Sequence, residues 1–138
     1  MTNKQKKQYL NSYRYLLHRS NSIEQEIETI RSRYTGRAIT YSDMPGAPSE
    51  SHDLSDYAAA VSDLVDALNS IRIQMIDSYQ RISDSIEMME DEQEKQLLRL
   101  RYLQGYSWKD VAKDMAYSEQ RVYQIHGNAL IHFKSRVN

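Results

Sequence analysis

The chain has 138 residues, 40% hydrophobic and 27% charged, with no Cys, four Gly and two Pro, which is about one domain's worth of helix-forming sequence and excludes disulfide or thiolate chemistry. No run is apolar enough for a membrane span, and the basic start Met1-Thr-Asn-Lys-Gln-Lys-Lys7 leads into alternating Tyr, Arg, His and Leu rather than a secretory core, so a cytoplasmic protein is expected. The net charge of −1 conceals three blocks: +5 over residues 1–40, −11 over 41–94 and +5 over 95–138.

From Tyr9 onward, apolar residues fall at Tyr9, Tyr13, Leu16, Ile23, Ile27, Ile30 and Tyr34, alternating four and three apart, with Ser20 in the one missing place. This is a heptad seam along one side of a helix of about 30 residues, roughly 45 Å long. A stripe of this kind is a packing face, and a polar Ser within it sets register.

Thr35 to Asp53 breaks the pattern with Gly36, Pro45, Gly46, Pro48 and the run Ser49-Glu-Ser51. A connection this long exceeds what a helical hairpin normally uses, so a mobile loop over 35–53 is expected, the alternative being a loop that docks through Tyr41 and Met44. A second long helix opens at Asp53 or Ser55. It carries Leu54, Tyr57, Val61, Leu64/Val65, Leu68, Ile71, Met75/Ile76, Tyr79, Ile82, Ile86 and Met89 in a similar alternation. Two such helices fold back most simply as a long antiparallel, coiled-coil-like hairpin over residues 1–91, the first helix basic and the second acidic. A homodimer that pairs either stripe with a second copy is equally physical.

Met89-Glu-Asp-Glu-Gln-Glu94 is an acidic junction to a C-terminal domain, 92–138, which the second helix can enter without a break. Its first helix, Lys95 to Leu103, stops at Gln104-Gly105. Ser107 followed by Asp110 is a capping pair that opens a helix carrying Val111, Ala112 and Met115. Ser118 with Glu119 opens another, carrying Val122, Ile125, Ala129 and Phe133. Only Ala116 to Ser118 separate the two, and Ala112 is small where they must cross. The arrangement is a helix-turn-helix. The fold class is therefore all-α, a helical hairpin followed by a helix-turn-helix domain, and the basic block over that domain is the footprint that a phosphate backbone requires.

With the core stripe inward, the last helix presents Gln120, Tyr123, Gln124 and Gly127 outward. Gln120, Tyr123 and Gln124 are the base-reading candidates, because Gln can bond an adenine edge in two places. Glu119 fits two roles, an acceptor for cytosine or a first-turn acid that suits the helix dipole. Lys109, Lys113, Arg121, Lys134 and Arg136 are the phosphate candidates. Trp108 fits the core edge or a stacking role, and Gly127 fits a close backbone approach by DNA or another helix. His18, His52, His126 and His132 are scattered, and the acids of the second helix have no His or Cys beside them. Neither a metal site, a cofactor nor an enzyme is expected.

Leu100-Arg101-Tyr102, Gly105, Ser107, Val111-Ala112, Ser118, Arg121-Val122, Gln124-Ile125 and Ala129-Leu130 resemble region 4 of bacterial sigma-70 factors, which reads the −35 promoter element. The wider layout resembles the small phage and prophage late-transcription regulators of the ArpU type. The resemblance implies a double-stranded DNA target, RNA polymerase as a partner and a phage or integrated element of a Gram-positive bacterium as the source. Lys109-Asp110 and Glu119-Gln120 depart from the usual region 4 residues, which implies a changed base preference. Residues 1–90 resemble no promoter-melting helices. Two other readings suit the same features: a small terminase-like DNA-packaging subunit, and an interaction protein that binds a polymerase or sigma subunit.

Overall fold

A computed structural model describes the backbone of residues 1–41 and 50–135 and the side chains of 1–34 and 54–135. Among the described residues there are five α-helices and no strand: α1 Asn3–Tyr41, α2 Glu50–Glu87, α3 Glu92–Leu98, α4 Trp108–Met115 and α5 Glu119–His132, with a π-helical turn over Arg99–Leu103 continuing α3.

The two long helices reach further into the Pro/Gly segment than its composition suggests. α1 passes Thr35 and Gly36 to end at Tyr41, and α2 begins at Glu50, ahead of Asp53 and Ser55. A single Gly costs a helix only about 1 kcal/mol relative to Ala, which a long flanking helix tolerates. The prolines that would stop a helix stand at 45 and 48. They fall in residues 42–49, so the middle of the expected loop, Met44 included, lies outside the described residues, as does the side chain of Tyr41.

The chain divides into two compact units, His18–Ile73 and Met1–Leu17 with Gln74–Asn138. In the first of these, Ile23 and Ile27 of α1 and Leu68 and Ile71 of α2 are buried, with Ser20 buried in its seam position. Glu24 pairs with Arg72 at 2.6 Å and the Tyr34 ring stacks on Tyr57 at 4.3 Å. One residue number rises as its partner's falls, so the helices run antiparallel within this unit. The Glu24–Arg72 pair inverts the expected basic-to-acidic attraction, and with both side chains about half exposed it contributes about 0–1 kcal/mol.

The other unit holds more than the expected domain over 92–138, because both helices of the hairpin contribute to its core. Leu10 of α1 is fully buried with Ile82 and Ile86 of α2, Leu97, Leu98, Val111, Val122 and Phe133. Tyr9 packs on Phe133 at 5.9 Å, Tyr13 meets Tyr79 edge-on at 5.2 Å, and the Ser12 and Ser78 hydroxyls bond at 3.1 Å. Lys6 donates from Nζ to the carbonyls of Leu130 and Ile131 at 2.6 and 3.3 Å, satisfying the C-terminal end of α5 with a positive charge. The expected unbroken run from the second helix into the domain does not occur. α2 ends at Glu87, Met89 turns back to bond the Ile86 carbonyl at 3.0 Å, and Asp91 caps α3 through the Glu94 amide. Arg99 spans that corner, bonding Glu87 and, at 3.3 Å, the Ser83 hydroxyl, while Lys95 pairs with Glu87 at 3.6 Å.

Candidate nucleic-acid interface

The three helices of the C-terminal domain are positioned by their stops and starts. After α3, the wider π-helical turn lets Leu100, Tyr102 and Leu103 all face inward while Arg99 and Arg101 reach toward the surface. The turn closes with Tyr106 N–H donating to the Leu100 carbonyl at 2.9 Å around Gly105, whose φ of +76° suits Gly. Ser107 then caps α4 by accepting from the Asp110 amide at 3.1 Å, and Ser118 caps α5 by accepting from the Arg121 amide at 3.1 Å. Between them Ala116 takes a left-handed conformation, φ 60°, and Tyr117 N–H bonds the Ala112 carbonyl at 3.0 Å. The three-residue connection has the length read from the sequence, and Val111, Ala112, Val122, Ile125, Ala129 and Phe133 are all buried.

Gln120, Tyr123, Gln124 and Gly127 share the exposed face of α5, and Glu119 is exposed at its start. A Cβ added at Gly127 would meet nothing within 4 Å, so no helix among the described residues approaches it. Arg121 donates from Nη1 to Gln124 Oε1 at 3.3 Å and lies 6.0 Å from the Tyr117 ring centre. One phosphate candidate therefore orients one base-reading candidate. Lys109, Lys113 and Lys134 are exposed, and Arg136 lies outside the described residues.

Trp108 sits at the edge of the core. Arg101 stacks over its ring at 4.5 Å, and His126 and Tyr123 meet it edge-on at 4.7 and 5.4 Å. Behind it, the Tyr102 hydroxyl and His126 Nε2 are 2.7 Å apart. Burial, with Lys7 and Arg101 adding repulsion, pushes the His126 pKa down to about 4, and burial pushes Tyr102 up to about 12. Both are neutral at pH 7. His132 instead bonds through Nδ1 to the buried Glu94 carboxylate, at 2.7 and 3.0 Å. The two histidines thus serve separate local pairs, and no group of three His, Cys, Asp or Glu that could hold a metal occurs among the described residues. No helix among them is long and apolar enough to cross a membrane.

Sequence reasoning stopped at the C-terminal domain and missed what α1 adds to it: Leu10 in its core, Lys6 at the end of α5 and Arg14 against the turn at Gly105. The signal for Leu10 was present, since it lies beside the heptad seam rather than in it.

A capped pair of helices joined by three residues, with an apolar stripe between them and a polar face outward, defines a helix-turn-helix of the DNA-binding class. Residues 91–134, about a third of the chain, match the family model described as Sigma-70, region 4, and so form a sigma-70 region 4-like helix-turn-helix. No curated protein and no solved structure matches the chain.

Proposed function

We propose that the protein is a sequence-specific transcription regulator of phage or prophage late genes that lays α5 in the major groove of double-stranded DNA. The observation that carries this reading is the outward face of α5, where Gln120, Tyr123 and Gln124 are exposed together and Arg121 holds Gln124, above a stripe that is buried throughout. Gln120 and Gln124 supply amide pairs for base edges, while Lys109, Lys113, Arg121 and Lys134 supply charge for the flanking phosphates. Glu119 acts on the helix dipole or accepts from cytosine. A cytoplasmic location and a non-catalytic role follow from this function. The long helices serve self-association or contact with RNA polymerase, a role supported by the exposed apolar side chains Ile76 of α2 and Met88 just past its end, at 73% and 66%.

Selection of bound sequences from random duplex DNA, followed by sizing of the complex, tests the reading. A defined motif is expected. Gln124→Ala is expected to lose about 1–3 kcal/mol of discrimination at one position while general binding persists. Lys113→Ala is expected to weaken binding to all sequences alike and to reduce the salt dependence. If Gln124→Ala selects the wild-type motif unchanged, α5 is not the reading helix. Recovery of no motif, with a ring of many copies, points instead to a packaging subunit.

A further inference from the structure

Three cations from outside α4 and α5 gather at one edge of the helix-turn-helix. A Cβ added at Gly105 would stand 3.8 Å from Arg14 Nε and 3.9 Å from its Nη2, so the Arg14 guanidinium lies against the turn that leads into α4. At the same turn, Arg101 donates from Nη1 to the Tyr106 carbonyl at 2.9 Å and stacks on Trp108, whose ring meets the half-exposed Tyr123 of α5. Lys7 stands seven residues before Arg14, on the same side of α1, and its charge is felt at His126 of α5.

None of the three has a carboxylate partner among the described residues. Arg14 and Arg101 are instead close enough to repel, and Arg14 adds to burial in lowering the Arg101 pKa. Nor are these cations loosely tethered. Leu10 is fully buried, Tyr9 packs on Phe133, and Lys6 is bonded to the end of α5, so the first turns of α1 hold a fixed position on the domain. Like charges held together on a rigid support, with no acid among them, form a site that an anion relieves. Arg101 reaches toward Tyr123 through the Trp108 ring, which puts that anion near the exposed face of α5.

We propose that the start of α1 is a second DNA-contacting element, in which Arg14, with Lys7 one helical repeat before it, binds backbone phosphate flanking the base pairs read by α5. The proposal rests on the DNA-binding reading above and extends it to a helix outside the matched region. A phosphodiester suits the site, because a guanidinium presents paired donors to two phosphate oxygens. These contacts fix the orientation of α5 without reading sequence.

The test is fluorescence anisotropy of a labelled mixed-sequence duplex of about 30 bp, titrated with the full chain from about 50 to about 200 mM KCl. Each phosphate contact contributes about 0.9 to the slope of log affinity against log salt, so Arg14→Ala should lower the slope by about 0.9 and the affinity near 100 mM roughly eightfold. Lys7→Ala, at an exposed position that does not enter the core, should lower the slope similarly. Arg14→Lys should retain most of it, and Arg33→Ala, which removes the same charge from α1 outside this cluster, should leave it unchanged. Thermal melts by circular dichroism accompany each variant, so a loss caused by unfolding is separated from a loss of contact. Wild-type slopes in folded Arg14→Ala and Lys7→Ala overturn the proposal while leaving the DNA reading intact. A wild-type chain with no salt-dependent binding overturns both.

Discussion

The two compact units bury their apolar residues to different depths. In His18–Ile73 the buried aliphatics Ile23, Ile27, Leu68 and Ile71 each keep 6–7% of their surface exposed. All the largest side chains that are essentially inaccessible, from Phe133 and Leu10 to Val122 and Ser85, belong to the other unit. The physical reason is coverage. Two helices can hide only the stripe between them, whereas in the other unit the ends of both long helices are covered by α3, α4 and α5. A seam tolerates change along its open sides, while a closed core responds to each methylene.

Leu10 is the position where this contrast can be broken most forcefully. Leu10→Ala is expected to destabilise the chain by about 2–5 kcal/mol, because a cavity in a fully covered core has little room to collapse. Ile27→Ala removes a similar side chain from the seam and should cost less, toward about 2 kcal/mol, since its open flank lets neighbours and water adjust. Urea unfolding followed by circular dichroism measures both. Equal costs would mean that the two units are packed alike.

How much of this was legible in the sequence depended on whether the information was local. The caps at Ser107 and Ser118, the stop at Gly105 and the stripe from Val122 to Phe133 are short-range patterns, and the structure has each of them. The heptad seam of α1 was readable too, down to the buried Ser20. The partners of its first turns in the C-terminal domain were not. Leu10 lies one residue off that seam, and nothing local to it indicates that the covering side chains come from more than 70 positions away, as does the α5 end that Lys6 caps. The same limit hid Arg14, whose neighbours at Gly105 and Arg101 are brought to it only by the packing of Leu10 and Tyr9. The exposed face of α5, by contrast, followed from helical period alone once the buried stripe was known.

The buried pair of Tyr102 and His126 makes the closed core sensitive to pH. The His126 pKa is about 4 in the folded chain, against about 6.5 when unfolded, so the unfolded state takes up the proton first. Its contribution to stability is complete above about pH 6.5 and declines as pH falls toward about 4. Urea midpoints between pH 7 and pH 5 should therefore fall in the wild type. His126→Gln, which keeps a polar partner for the Tyr102 hydroxyl, should flatten that decline. No such component is expected from the seam, whose buried residues are aliphatic apart from Ser20. A parallel pH profile in both proteins would show that His126 is free to protonate in the fold.

Lys6 tests the attachment of α1 without opening the core. Lys6→Met retains the aliphatic stem but removes the charge-assisted bonds to Leu130 and Ile131 at the negative end of α5. A loss of about 1 kcal/mol is expected, and it should shrink at high salt. An unchanged urea midpoint would mean that water replaces the cap at no cost.

The smallest effect concerns the two left-handed residues of the helix-turn-helix, one Gly and one not. Gly105 has φ +76°, and a Cβ there would meet only the flexible end of Arg14 at ordinary contact distance. Gly105→Ala should therefore cost about 1 kcal/mol, from backbone strain rather than collision. Ala116 already bears that strain at φ 60°, between α4 and α5. Ala116→Gly should release about 1–2 kcal/mol of it and return about 0.4–1 kcal/mol through the greater freedom of the unfolded chain. The net is a stabilisation of about 0.5–1 kcal/mol, visible as a raised urea midpoint. Since the side chain at 116 is exposed, the gain should come without altered packing of Val111, Ala112 or Val122. A destabilised Ala116→Gly would show that the methyl group, and not the backbone geometry, holds the turn.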